Sequence, residues 1–148
     1  MIQTSTPADQ LEWERGYPDA ITSDALWKLH AYRLALYLLD LTRGDVRLGL
    51  GRGLDRELAG QLLRAVASIS ANIAEGYSRS TRGDRLRFYG YALGSLREAP
   101  SWYRASSDFF APGAADDRFR VLAQIRPLLL GIIRSTRARS HPRNEFER

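Results

Sequence analysis

Apolar residues recur every three or four positions along most of this chain, a spacing that predicts helices and no strands. A first helix is expected from Ser23 or Asp24, either a good N-cap, to about Thr42. It carries two apolar series: Ala25, Leu29, Tyr32, Leu36, Leu39, and Trp27, Ala31, Leu34, Leu38, Leu41. Gly44 is expected to end it, and Gly44, Gly49, Gly51 and Gly53 to make residues 44–53 a loop. A second helix begins near Leu54 or Asp55 and carries Leu58, Leu62, Ala65, Ile69 and Leu63, Val66, Ile73; Gly76 is read as its left-handed terminating residue. A third starts between Ser80 and Asp84, on the seam Leu86, Tyr89, Leu93, Leu96, Pro100, Tyr103, with Pro100 expected to kink it. After a turn over 110–115 a fourth helix begins near Ala115. Asp116 and Asp117 complement its dipole, and Val121, Leu122, Ile125, Leu128, Leu129, Ile132 and Ile133 form its apolar face, with a second kink at Pro127.

Four helices with short connections read as an all-α, antiparallel up-down-up-down four-helix bundle over residues 23–139. Residues 1–22, with Pro7, Gly16 and Pro18 and no sustained period, read as a loose N-terminal arm from which Trp13 and Tyr17 could dock. Residues 140–148 read as a basic, flexible tail.

One segment breaks the apolar pattern. Ser68, Asn72 and Glu75 step by four and three and draw a polar line along the second helix, ending at Gly76. The third helix has a matching set, Gly94, Ser95 and Glu98, in which Gly94 would allow close helix approach. These residues fit a buried or interfacial network. Glu75 and Glu98 would pair with arginines such as Arg79, Arg82 or Arg64, and Asn72 would bond backbone or Ser95. Such a network fixes register, since an unpaired buried polar group costs about 1–3 kcal/mol. The alternative is a catalytic carboxylate pair, Glu75 with Glu98, but no nucleophile, histidine or metal cluster accompanies it.

The apolar faces of the first and third helices are wider than the roughly 100° stripe that a bundle helix needs. Surplus apolar surface marks an interface, so self-association through Trp27, Leu34, Phe88 and Trp102 is expected.

Composition narrows the chemistry. The chain has 148 residues, 44% of them hydrophobic, which suits one globular domain. It has no cysteine and two histidines, His30 and His141, which excludes disulfides, thiol nucleophiles and Cys- or His-rich metal sites. No cofactor is needed to explain the fold. The start, 1–10, shows no signal peptide, and the longest apolar runs, Leu34–Leu39 and Leu128–Ile133, are too short to span a bilayer. A cytoplasmic protein without membrane contact is expected.

The formal net charge is +5, and it is unevenly placed. Residues 1–78 hold 8 basic and 10 acidic side chains; residues 79–148 hold 14 and 7. Arg79, Arg82, Arg85 and Arg87 cluster where the third helix begins, and Arg134, Arg137, Arg139 and Arg143 where the fourth ends. An up-down bundle puts both clusters at one end, as a basic surface for the phosphates of RNA or DNA. The alternative is a solvated face paired with acids. Gly49-x-Gly51-x-Gly53 lacks the strand and the Gly-Lys-Ser/Thr ending of a phosphate loop, and Arg43-Gly44-Asp45 and Arg82-Gly83-Asp84 are explained by helix-end chemistry.

The string Gln61-Leu62-Leu63-Arg64-Ala65, Ser68-Ile69, Asn72-Ile73-Ala74-Glu75-Gly76, then Arg79, Arg87-Phe88, Ala92, Gly94-Ser95-Leu96 and Glu98 resembles the four-helix-bundle proteins named after the 23S ribosomal-RNA intervening sequence. That family is similar to the accessory variability determinant proteins of diversity-generating retroelements. The resemblance runs from about Leu26 to Ile133. It implies assembly into a homopentameric barrel and, in the retroelement relatives, a basic surface working with a reverse transcriptase and its template RNA. The long arm, the glycine-rich 44–53 segment, Pro100 and Pro127 depart from the family pattern. The expected function is a non-enzymatic bundle that self-assembles and presents arginines to RNA or DNA, with a protein–protein scaffold as the alternative.

Overall fold

The computed structural model describes residues 7–139. Six α-helices occur there: α1 (Pro7–Arg15), α2 (Asp19–Thr22), α3 (His30–Gly51), α4 (Arg56–Ser78), α5 (Arg82–Ser106) and α6 (Ala114–Ala138). The four long ones form the expected antiparallel bundle, in which α4 packs on α3 and α5, and α6 closes the ring against α5 and α3. Leu34, Leu38, Leu62, Ile69, Ile73, Tyr103, Ile125 and Leu129 are fully buried at its centre. No helix among the described residues is long and apolar enough to cross a membrane.

Local chemistry sets the helix starts. The Asp55 carboxylate accepts from the backbone N–H of Glu57 and Leu58, both at 3.0 Å, and so caps α4. The Thr81 hydroxyl accepts from the Asp84 N–H at 3.2 Å and caps α5. Gly113, at φ +80°, turns the chain into α6, whose first turn carries Asp116 and Asp117. Pro100 and Pro127 both lie within continuous helices.

The first bundle helix is displaced along the chain from its expected position. Asp24 caps only a 3-10 turn, Ala25–Lys28, through the Leu26 N–H, and extended Leu29 separates that turn from α3. At its other end α3 runs through Gly44 and the expected loop to Gly51. Glycine inside a helix costs about 1 kcal/mol relative to alanine, but Asp45 and Val46 are buried by continuing. Gly49 lets Leu54 and Phe110 press against the helix; a Cβ there would meet Leu54 Cδ2 at 2.9 Å. The turn is made instead at Gly53, whose φ of +93° falls in the left-handed region.

Two further expectations are corrected. Gly76 does not terminate α4 in a left-handed conformation; it is helical, and an added Cβ would lie 2.6 Å from the Tyr89 ring. It is a contact glycine. Gly94 is exposed with open space above it, so it mediates no close approach within the protomer.

The segment expected to be loose is helical over 7–15 and 19–22. Trp13 docks on α3, its Nε1 donating to Asp40 at 2.9 Å, while Glu14 pairs with Arg33 at 3.2 Å. The rings of Trp13, Tyr17 and Trp27 stack with centroids 4.5–6.1 Å apart. Trp27, expected at an interface between copies, therefore lies against the arm of its own chain. Leu34, expected beside it, is 1% exposed and belongs to the core. Tail residues 140–148, with His141 and Arg143, lie outside the described residues.

Candidate nucleic-acid interface

The link between α4 and α5 and the last turns of α6 meet at one end of the bundle. Arg82 Nη1 donates to the Arg137 carbonyl at 3.2 Å, which joins the two arginine clusters directly. Between them opens a cleft of about 630 Å³, bordered by Arg82, Arg85 and Arg139. Its remaining wall is mixed: the hydroxyls of Ser80, Ser135 and Thr136, the rings of Tyr77 and Tyr89, and the aliphatic Leu29, Leu128 and Ile132. No acidic residue lines it among the described residues. Among the described residues no carboxylate pairs with Arg85, Arg134 or Arg139. Arg85 is oriented by its Nε, which donates to the Arg79 carbonyl at 2.6 Å. Burial raises the Tyr89 pKa above its ordinary value, the Arg85 charge working against that shift.

The other arginines of the first cluster are engaged differently. Arg79 forms an ion pair with Glu75 at 3.2 Å and sits 4.7 Å over the Phe88 ring; Arg87 pairs with Asp84 at 3.2 Å and lies 5.2 Å from the same ring. Phe88, expected at an interface, is thus partly covered by two guanidinium groups and stands perpendicular to the Tyr91 ring, with centroids 5.7 Å apart. Arg134 and Arg137 are exposed on α6, and Arg143 lies outside the described residues. Of the eight arginines singled out in the sequence, Arg82, Arg85 and Arg139 share the cleft, Arg137 touches it through Arg82, and Arg79 and Arg87 form a neighbouring patch.

The polar line is assembled in part. The Ser68 and Ser95 hydroxyls bond across α4 and α5, and Asn72 Nδ2 donates to the Ser68 carbonyl at 2.8 Å. Glu75 and Glu98 do not join them. Glu75 is exposed beside Arg79, and Glu98 accepts from Trp102 Nε1 at 2.8 Å. Because Ser68 faces Ser95 on antiparallel helices, residues 75 and 98 diverge by about 15 Å along the axis at 1.5 Å per residue. A catalytic Glu75–Glu98 pair is therefore not formed.

Sequence reasoning missed a second polar centre, at the opposite end of the bundle. Arg118 Nε and Nη2 donate to the two oxygens of Asp45, each at 2.9 Å, with the side chains 4% and 5% exposed. The Tyr103 hydroxyl donates to Asp45 at 3.1 Å and lies 2.6 Å from that of Thr42, which also bonds the Leu38 carbonyl. Desolvation opposes the Arg118 charge, but the hydrogen bonds and charge of Asp45 outweigh it and raise its pKa. Burial, then the Asp45 charge, hold the Tyr103 hydroxyl protonated well above the usual tyrosine range. The overlooked signal was apolar spacing that persists past Gly44, through Val46 to Gly49.

Comparison with known proteins agrees with this architecture. No curated protein matches the chain. Four chains of solved structures match, among them a protein of unknown function from the S23 ribosomal protein family of Bacteroides thetaiotaomicron. It is 20% identical, with a TM-score of 0.64 over 70% of this chain and 97% of that one, a likeness of fold. The family model described as 23S rRNA-intervening sequence protein matches residues 46–111, from the second half of α3 through α4 and α5 to the turn before α6.

Proposed function

We propose that this chain is a non-enzymatic helical-bundle protein that self-associates and binds the phosphates of RNA or DNA through its arginine end. The observation that carries the reading is the cleft bordered by Arg82, Arg85 and Arg139, with no acid in its lining among the described residues. Arg85 and Arg139, which pair with no described carboxylate, create a positive field, which attracts polyanions and raises their encounter rate. Such contacts are made to phosphate oxygens and are independent of sequence. The match to the intervening-sequence family over α4 and α5 supports an association with RNA.

The oligomeric part of the reading rests on the outer side of α5. Tyr91 is exposed there, Phe88 and Trp102 are half-buried, and Gly83, Gly90 and Gly94 leave open space above the helix. A homopentamer would bring several arginine ends together, and an accessory role beside a reverse transcriptase of a diversity-generating retroelement is the finer form of the proposal. Light scattering should give a solution mass five times the 16.7 kDa protomer; a single-copy species would remove the oligomer from the reading.

The direct test is fluorescence anisotropy with labelled RNA and DNA at two salt concentrations. Binding should weaken steeply between about 50 and 200 mM salt, as counterion release requires. Absence of salt-sensitive binding to either polymer would overturn the reading in favour of a protein–protein scaffold.

A further inference from the structure

A surface that only attracts phosphates needs charge, not concavity. This one is hollow. Its 630 Å³ falls within the range of about 300–1,000 Å³ typical of sites for small organic molecules. Five of its twelve described lining residues bring chemistry that a phosphate does not use: two tyrosines and the side chains of Leu29, Leu128 and Ile132.

We infer that the cleft seats one nucleotide unit of a single-stranded nucleic acid, with the phosphate on Arg85 and Arg139 and the base against Tyr77 and the aliphatic wall. The inference rests on the nucleic-acid reading above and narrows it. Arg85 and Arg139 supply positive charge without a described carboxylate partner. The Tyr77 side chain lines the cleft and stays 37% exposed, so its ring is open to a stacking partner. Tyr89 is 3% exposed and packed over Gly76, which makes it fixed wall rather than a movable ligand. Ser80 and Ser135 add hydroxyls for sugar or base edges.

A duplex offers the same phosphates but keeps its bases stacked inside, whereas a single strand can turn a base outward onto an aromatic ring. Because every base has a π-face, the site should tolerate most sequences.

The experiment uses the whole chain, a short labelled single-stranded RNA and an RNA duplex of the same length, at one fixed salt concentration. Tyr77→Ala should weaken the single strand about tenfold, within the range for losing one base stack, and leave the duplex unchanged. Tyr77→Phe should retain the wild-type affinity. Ser135→Trp, a substitution at an exposed residue that fills the cleft, should also weaken only the single strand. Arg139→Ala should weaken both. If Tyr77→Ala and Ser135→Trp leave the single strand untouched while Arg139→Ala weakens both RNAs, the nucleotide site is overturned and phosphate binding stands. If neither RNA binds in a salt-sensitive way, the broader reading fails and takes this one with it.

Discussion

At one end of the bundle Arg118 is 4% exposed and gives two hydrogen bonds to Asp45; at the other, Arg85 and Arg139 border an open cleft with no acid in its lining among the described residues. The residue type is the same, and the surroundings differ in water and in partners. A guanidinium taken out of water must be matched at once, so Asp45, Tyr103 and Thr42 close around the first. Arg85 and Arg139 keep access to water and have no carboxylate partner among the described residues. The first end holds register between α3, α5 and α6, and the second is where binding is proposed.

Breaking the closed end should have the largest effect. Arg118→Ala leaves the Asp45 charge buried without its partner, and urea unfolding should show a loss of about 3–5 kcal/mol. Replacing Asp45 and Arg118 together by apolar residues should recover much of that loss, and a double-mutant cycle would measure the coupling. If Arg118→Ala were as stable as wild type, the contrast between the ends would collapse.

Next comes Gly76→Ala. A methyl 2.6 Å from the Tyr89 ring must displace it. Overpacking of this kind costs about 1–3 kcal/mol, measurable as a lower denaturation midpoint. The same shift would disturb the cleft wall, so at the open end packing and the cleft should change together.

At the open end, Arg85→Ala and Arg139→Ala should change binding and not folding. Stability should stay within about 0.5 kcal/mol. The slope of log affinity against log salt should fall by about 0.7 per lost contact to a single strand. An unchanged slope would place the phosphates elsewhere.

The smallest effect is one of pH. The Tyr103 pKa is raised in the folded state, so its hydroxyl stays protonated where the unfolded chain's tyrosines ionise, near 10. Its stabilising contribution is complete below that value and lost as the pH rises through the folded value. Stability should decline in alkaline solution, and Tyr103→Phe should flatten the decline.

The bundle could be read from sequence because Leu58, Leu62, Ala65 and Ile69, or Val121, Ile125 and Leu129, encode a face by local spacing alone. The closed end could not. Asp45 beside Gly44 looks like a helix terminus, and its partner Arg118 is 73 residues away, behind an acidic pair that reads as dipole chemistry. The fate of a glycine also depends on distant neighbours: Gly76 is decided by Tyr89 and Gly49 by Leu54 and Phe110, while Gly94 meets nothing. The meeting of the arginine clusters followed from chain direction. The hollow between them did not, because Tyr77 of α4 and Ile132 of α6 come to border one cleft only once the bundle is closed through α3 and α5.

The docked N-terminal arm also makes this protein its own reporter. Two of its three tryptophans, Trp13 and Trp27, sit in the ring stack where that arm meets α3, and the third, Trp102, is on α5. Lifting the arm would bring two indoles into water while the four long helices kept their circular dichroism, so emission would shift before ellipticity fell. Intrinsic fluorescence can therefore time the release of one short element separately from global unfolding.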